Sequence, residues 1–339
     1  MKKARSAIIG CGTISKLHAE AICSMEGAEL VGCADIVAGR AQKMAGEYGA
    51  KAYYSLEELL DSEPVDILHI CTPHHVHTPM AGEAAKRGVN IFCEKPPAIS
   101  RGQWAEFARL ESSVAVGVCF QNRYNSETAY LNQIITSGAA GKLKGARAFV
   151  TWDRDMGYYS DEWHGKLSTE GGGVLINQAV HTMDLLVMLL GRPQAVHAVK
   201  ANFHLNGFVE VEDTMSAWLD FGGGCSALLY ASTAYCEDSP VMMEFICENV
   251  AVRVENKQVD CAWKDGRNET VNFNAVKAVE SPSIGKAYWG TSHEKCIRDF
   301  YASVSEKRGY RLRPSALVDT MDTLFAIYES AGASAPVRL

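Results

Sequence analysis

Ala7-Ile8-Ile9-Gly10-Cys11-Gly12-Thr13-Ile14-Ser15 is the stretch on which the fold turns. A short apolar run reads as a strand, and residues 16–24 beyond it read as a helix. Gly10 permits the tight turn between the two. Gly12 lets the backbone approach a pyrophosphate at the positive end of the helix. Thr13 and Ile14 lie on the same turn and are counted with the glycines as cofactor-binding residues. Ser15 stands where the G-x-G-x-x-G pattern has its third glycine. Asp35 ends the next strand, 23 residues after Gly12, where an acid hydrogen-bonds the adenosine ribose hydroxyls. An acid there repels a 2′-phosphate and favours NAD, while Arg40 leaves NADP open.

The pattern continues outward from this turn. β-type runs at 29–34, 65–71, 89–93 and 114–120 alternate with helical spacing at 37–48, 56–60, 79–87 and 102–110. Such alternation calls for a parallel sheet with helices on both faces. After Gln121 the pattern changes. A helix from Asn125 to Ser137 leads into β-type runs at 146–152, 195–203, 214–221, 226–234, 241–247, 250–254 and 259–263. Strands that follow one another directly suggest a mostly antiparallel sheet. A helix at 174–190 interrupts them, and helices at 294–305 and 315–330 close the chain. The expected fold class is α/β. A doubly wound Rossmann domain is expected over 1–121, and an α/β substrate and oligomerisation domain over 122–339 whose closing helix packs back on the first.

Composition bounds the function. The chain has 339 residues, enough for two domains, with 47% hydrophobic and 22% charged residues. A net charge of −7 argues against non-specific binding to nucleic acid or an anionic membrane. No apolar run reaches the roughly 18 residues that span a bilayer. The start, Met1-Lys2-Lys3-Ala4-Arg5-Ser6, has a signal peptide's charge but too short an apolar stretch behind it. A cytoplasmic location is the resulting expectation. The 11 cysteines include no C-x-x-C pair and read as free, mostly buried thiols.

Two loops leave the carboxyl edge of the first sheet, where such folds bind ligands. Thr72-Pro73-His74-His75-Val76-His77 follows one strand, and Glu94-Lys95-Pro96-Pro97 follows another. Thr72, Pro73, His74, His77, Glu94 and Gln121 are expected at the cofactor. Three histidines so close invite a metal, but a loop lacks the fixed spacing of a helical pair and no Cys/His cluster joins them. No metal is expected. Lys95 can donate to a reacting oxygen, or exchange a proton if desolvated. Pro96 fixes the backbone behind it, through a cis bond if the turn needs one.

Gly171-Gly172-Gly173-Val174-Leu175-Ile176-Asn177-Gln178-Ala179-Val180-His181-Thr182-Met183-Asp184 is the strongest signal in the second half. Three glycines allow a close backbone approach before a helix begins. Asn177, His181 and Asp184 are four and three apart and share one helical face.

Taken in order, these residues resemble the Gfo/Idh/MocA oxidoreductases, named for glucose-fructose oxidoreductase and inositol dehydrogenase. The resemblance rests on Gly10-x-Gly12 with His18, Thr72-Pro73 with His77, Glu94-Lys95-Pro96, Gln121-Asn122-Arg123-Tyr124-Asn125, the Gly171–Asp184 block and Ala326-Ile327-Tyr328-Glu329-Ser330-Ala331. It implies a Rossmann domain followed by an open, mostly antiparallel sheet that commonly forms homodimers or homotetramers. It also implies substrates among sugars, cyclitols, sugar acids and nucleotide sugars. Lys95 and His181 match the family's usual catalytic pair. Many members carry Asp where this chain has Asn177, which cannot titrate; the departure moves the proton work to His181 and Lys95.

The expected chemistry is hydride transfer from a sugar carbon to nicotinamide. His181 is the candidate general base, since its unperturbed pKa near ~6.5 suits neutral pH. Lys95 would stabilise the alkoxide, and Asn177 would orient the ring. Arg123 and Tyr124, which follow the last strand of the first domain, and Trp163 and His164, in an aromatic stretch suited to sugar faces, are the further substrate-binding candidates. For Arg123 and Tyr124 the alternative is a salt bridge and packing between domains. His18 and His77 are read as purely structural residues or as supports of the cofactor edge, and Asp184 as either a hold on the His181 ring or a packing residue. Two other functions stay open: an NAD-dependent glycoside hydrolase of the same fold, and a non-enzymatic NAD sensor.

Overall fold

A computed structural model describes residues 3–273 and 292–339. Two compact units divide the chain: Met1–Gln121 with Pro282–Leu317, and Asn122–Ser281 with Val318–Leu339. The helix expected at 294–305 therefore belongs to the first unit and not to the second domain.

The first unit is a six-stranded parallel sheet. Its strands are β1 (Ala4–Ile9), β2 (Ala28–Ala34), β3 (Lys51–Tyr53), β4 (Ile67–Ile70), β5 (Asn90–Cys93) and β6 (Val116–Val118), in the order β3-β2-β1-β4-β5-β6. The central strands read as continuous apolar runs because both faces are covered. Their helices are α1 (Ser15–Cys23), α2 (Ala38–Tyr48), α3 (Leu56–Ser62), α4 (His77–Lys86) and α5 (Arg101–Arg109). Register matters for the site. Ile9 pairs with Ala34 and Ile70, and Ile70 pairs with Cys93. The residues that follow, Gly10, Asp35, Cys71 and Glu94, therefore leave the sheet at one carboxyl edge. The three-residue β3 was missed in the sequence because it is too short to show a period.

The second unit begins with α6 (Ser126–Thr136) and holds a nine-stranded sheet. Its strands are β7 (Leu143–Thr151), β8 (Ala195–Ala201), β9 (Thr214–Gly222), β10 (Cys225–Ser232), β11 (Met242–Cys247), β12 (Val250–Glu255), β13 (Gln258–Trp263), β14 (Asn268–Asn272) and β15 (Val337–Arg338). All ladders are antiparallel except β7 with β10, so the sheet is mostly antiparallel as expected. The polar edge strand β14 and the two-residue β15 carried no apolar signal.

The glycine-rich helix is two pieces, a π-helical turn Leu175–Ala179 and then α7 (Val180–Leu190). Helix α8 (His293–Ser305) packs on α1 in the first unit. The closing helix α9 (Val318–Ala333) packs on β8 and α7 within the second unit, where its chain segment belongs. No helix among the described residues is long and apolar enough to cross a membrane. All 11 cysteines are unpaired.

Candidate functional site

At the first turn, Gly10 has φ +89°, and a Cβ on it would meet the Cys71 carbonyl oxygen at 2.6 Å. Only glycine fits there. A Cβ on Gly12 would meet nothing within 4 Å, so its backbone faces open space beside the start of α1. Thr13 is exposed and Ile14 half-buried. No side chain caps the α1 N-terminus, which leaves its amides able to serve an anion. Ser15 at the third glycine position is buried and donates to the Gly12 carbonyl at 2.6 Å, bracing the turn. Asp35 is buried and accepts from the Cys11 and Val37 amides, each at 2.8 Å. Beside it Ile36 is 86% exposed, an apolar surface next to this acid. Arg40 is exposed on the first turn of α2. A cradle without side chains, uncapped amides, an acid and an exposed apolar residue together fit a dinucleotide.

His77 ties the two neighbouring loops together. The fully buried ring sets Nε2 2.7 Å from the Thr72 carbonyl oxygen and Nδ1 2.8 Å from that of Pro96. Burial, against those two carbonyls, holds its pKa below the ordinary value. Thr72 and Pro73 are half-buried, and His74 is buried with its ring 5.9 Å from that of His77. The Lys95–Pro96 bond is cis, and Lys95 is half-buried. Gln121 is buried at the end of the unit.

Behind Glu94 lies a chain of buried polar groups that sequence reading did not find. Glu94 Oε1 is 2.9 Å from His18 Nε2, His18 Nδ1 is 2.8 Å from His69 Nδ1, and His69 Nε2 is 2.9 Å from the Tyr301 hydroxyl. Tyr301 meets Ser6 Oγ at 2.6 Å. Chemistry sets the direction of each bond. A carboxylate accepts, so His18 donates from Nε2. A neutral His18 accepts at Nδ1, so His69 donates from Nδ1. His69 then accepts at Nε2 from the Tyr301 hydroxyl, and Ser6 donates to Tyr301. Burial pushes the His69 pKa well down and keeps that ring neutral. Burial alone would raise the Glu94 pKa. The His18 hydrogen bond, helped by the positive charge of Lys95, outweighs it, so Glu94 stays well below the usual range. Cys119 brings its sulfur within 4.8 Å of the His18 and Glu94 ligand atoms, but burial keeps that thiol protonated. The pattern was hidden because its members lie on β1, α1, β4, the turn after β5 and α8, up to 295 residues apart.

In the second unit, Gly171 takes a φ of +86°, and the two glycines after it answer to packing. A Cβ on Gly172 would collide with the Tyr328 hydroxyl, and one on Gly173 with the Glu212 carbonyl oxygen. The buried Glu212 carboxylate accepts from the Gly173 and Leu175 amides at 3.0 and 3.2 Å and from Tyr328 at 2.8 Å. His181, half-buried, opens α7 directly after the π-helical turn that carries Asn177. Asp184 takes the packing role. Arg123 Nε and Nη2 donate to its two oxygens at 2.8 and 2.5 Å, and Thr320 donates at 2.7 Å. Arg123, expected at the substrate, thus commits that edge of its guanidinium to a bond within the second unit. Tyr124 is half-buried beside it.

Trp163 and His164 lie in the loop before the glycines. His164 Nδ1 is 2.6 Å from Asp161 Oδ2, and its ring centroid is 3.6 Å from that of Trp163 and 4.7 Å from Tyr158. This loop ends at Glu170, a fully buried carboxylate that sequence reading passed over. Glu170 accepts from Gly165 N and from Asn177 Nδ2, each at 2.6 Å. Its position one residue before the glycine run was the available signal.

The family pattern described as "Oxidoreductase family, NAD-binding Rossmann fold" matches residues 4–120, and the GFO/IDH/MocA C-terminal domain matches residues 128–253. The chain belongs to the Gfo/Idh/MocA oxidoreductase family. Its first unit is accordingly an NAD-binding Rossmann domain. Among this family's members, D-glucoside 3-dehydrogenase of Escherichia coli (strain K12) is 31% identical over 208 residues, covering 58% of this chain and 57% of that protein. The match thus spans a little over half of that relative's length. The scyllo-inositol 2-dehydrogenase (NAD(+)) of Bacillus subtilis (strain 168) is 28% identical over 235 residues, 67% of each chain. The WlbA dehydrogenase of Bordetella pertussis, solved with NADH and UDP-GlcNAcA, is 26% identical with a TM-score of 0.86, covering 100% of this chain and 99% of that one.

Proposed function

We propose that this chain is an NAD-dependent dehydrogenase that oxidises a secondary hydroxyl of a sugar, cyclitol or nucleotide sugar. The observation that carries the reading is the dinucleotide cradle at Gly10 and Gly12, with Lys95 leaving the same sheet edge. Relatives named as glucoside and inositol dehydrogenases, and one solved with a nucleotide sugar, support the substrate class.

Gly10, Gly12, Thr13, Ile14 and Asp35 would hold the dinucleotide's phosphates and ribose, and Thr72, Pro73, His74 and Gln121 the neighbouring edge. Bound NAD supplies a hydride acceptor. His181 takes the hydroxyl proton as general base. The Lys95 ammonium stabilises the oxyanion that proton loss creates. Glu94 and His77 position Lys95, one by its charge and one by anchoring the Pro96 carbonyl. Asn177 hydrogen-bonds a neighbouring hydroxyl, and Trp163 and His164 offer ring faces to the sugar.

We propose a homo-oligomer built on the second unit's outer sheet face. There Trp218 pairs across the ladders with Leu228 and His197, and Val199 and Ile246 are also exposed. The unpaired cysteines support a reducing, cytoplasmic setting.

Sugars, inositols, sugar acids and UDP-sugars supplied with NAD and with NADP test the reading by NADH absorbance. NAD reduction with at least one class is expected. Cleavage of a glycoside without net NADH, or binding of NAD without turnover of any of them, would overturn it.

A further inference from the structure

Asn177 cannot titrate, and the fold sets a buried carboxylate against its side chain. Glu170 is 0% exposed. One carboxylate oxygen accepts from Gly165 N at 2.6 Å and the other from Asn177 Nδ2 at 2.6 Å. Asn177 Nδ2 also donates to the Tyr158 hydroxyl at 3.2 Å, and Gln178 Nε2 donates to the same oxygen at 3.1 Å. An amide nitrogen carries two protons, and these contacts direct one to Glu170 and one to Tyr158. A planar amide held this way turns Oδ1 to its opposite side. The reversed amide would set oxygen against carboxylate oxygen.

Resting on the dehydrogenase reading, we propose that Glu170 is the positioning carboxylate of the substrate site. As the anion it holds the Asn177 amide with Oδ1 offered to a substrate hydroxyl, and on taking a proton from solvent it releases that orientation. A protonated Glu170 can donate to Oδ1, which favours the flipped amide and presents an N–H where an acceptor is needed. The anion also polarises the amide and makes Oδ1 the stronger acceptor.

The surroundings make this proton exchange relevant near neutrality. Burial pushes the Glu170 carboxyl up to about 7, against the hydrogen bonds from Gly165 and Asn177 and with the negative fields of Glu212 and Asp161. Asp161 is itself paired with His164. Burial pushes the phenols of Tyr159 and Tyr328 up, with the negative field of Glu170 adding to it, so they stay neutral in this range.

Infrared difference spectra across neutral pH, together with pH profiles of kcat/KM, test the proposal on the wild type and Glu170→Gln. A protonated-carboxyl band is expected to titrate near neutrality in the wild type and to vanish in Glu170→Gln. The acid limb of kcat/KM is expected to fall with two protons in the wild type, from His181 and Glu170, and with one in the variant. At alkaline pH the variant should lose about tenfold, carried by KM, as one hydrogen bond weakens. If Glu170→Gln does not fold, Asn177→Ala serves: removing a donor to the carboxylate should move the band's titration to higher pH. No titrating band near neutrality in the wild type, a band that survives Glu170→Gln, one unmoved by Asn177→Ala, or a variant profile merely scaled from the wild type would overturn the proposal. The infrared result stands apart from turnover, so a chain that reduces no NAD would sink the dehydrogenase reading alone.

Discussion

Two glycine-rich segments, the Gly10–Gly12 turn and the Gly171–Gly173 run, look alike in sequence and do different work. At the first turn the two glycines divide the labour: Gly10 is forced by its φ and by the Cys71 carbonyl, while Gly12 borders open space. In the second segment Gly172 and Gly173 are both crowded, by Tyr328 and Glu212. The first is a ligand cradle. The second lets buried neighbours seize the start of the helix that carries Asn177 and His181. A glycine is informative only with what lies opposite it.

Substitutions sharpen that contrast. The largest expected effect belongs to Lys95→Ala, which should lower kcat by ~10²- to 10⁴-fold while NADH binding, followed by fluorescence titration, persists. Unchanged turnover would remove Lys95 from the mechanism. Gly10→Ala should cost about 3 kcal/mol or more in denaturant unfolding, through a left-handed backbone and a backbone collision. Gly12→Ala should leave stability unchanged and weaken NADH binding instead. Equal losses of stability in the two would erase the division drawn between them.

The second segment predicts a pH effect on stability. Glu170 rises from 4.5 to about 7 on folding, so the folded chain keeps a proton that the unfolded chain releases. Its stabilising share is full below about 4.5 and is lost as pH rises through about 7. That loss is on the order of 3 kcal/mol by alkaline pH. Glu170→Gln should therefore gain stability on the wild type between pH ~5 and ~8, and thermal melts that run parallel across that range would contradict it. The smallest effect is at the buried chain behind Glu94. Tyr301→Phe strands the His69 acceptor and should cost about 1–3 kcal/mol in chemical unfolding. No loss would mean that His69 finds its proton elsewhere.

Legibility follows sequence distance. The Rossmann turn was readable because a strand, two glycines, a helix and an acid 23 residues on are all local. The mostly antiparallel sheet was readable from strands in succession. The interior was not. His18 read as a support for the cofactor edge or a structural residue, but its partners His69, Glu94 and, through His69, Tyr301 come from three separate parts of the chain. Asp184 shares a helical face with His181 by spacing, yet Arg123 and Thr320 bind it. The π-helical turn, which changes the phase between Asn177 and His181, is set by Glu212 and Tyr328 and leaves no periodic trace. Placing 294–305 in the second domain failed because residue order alone does not reveal a return of the chain to the first.

The roles proposed for Lys95, His181 and Asn177 all require net hydride transfer from substrate to NAD. Incubation with NAD and a substrate carrying deuterium at the oxidised carbon, followed by mass spectrometry of the released nicotinamide, tests it most directly. One deuterium at the nicotinamide C4 per product formed is predicted. Substrate consumed with unlabelled NAD, or with no reduced nicotinamide released, would contradict a net hydride transfer.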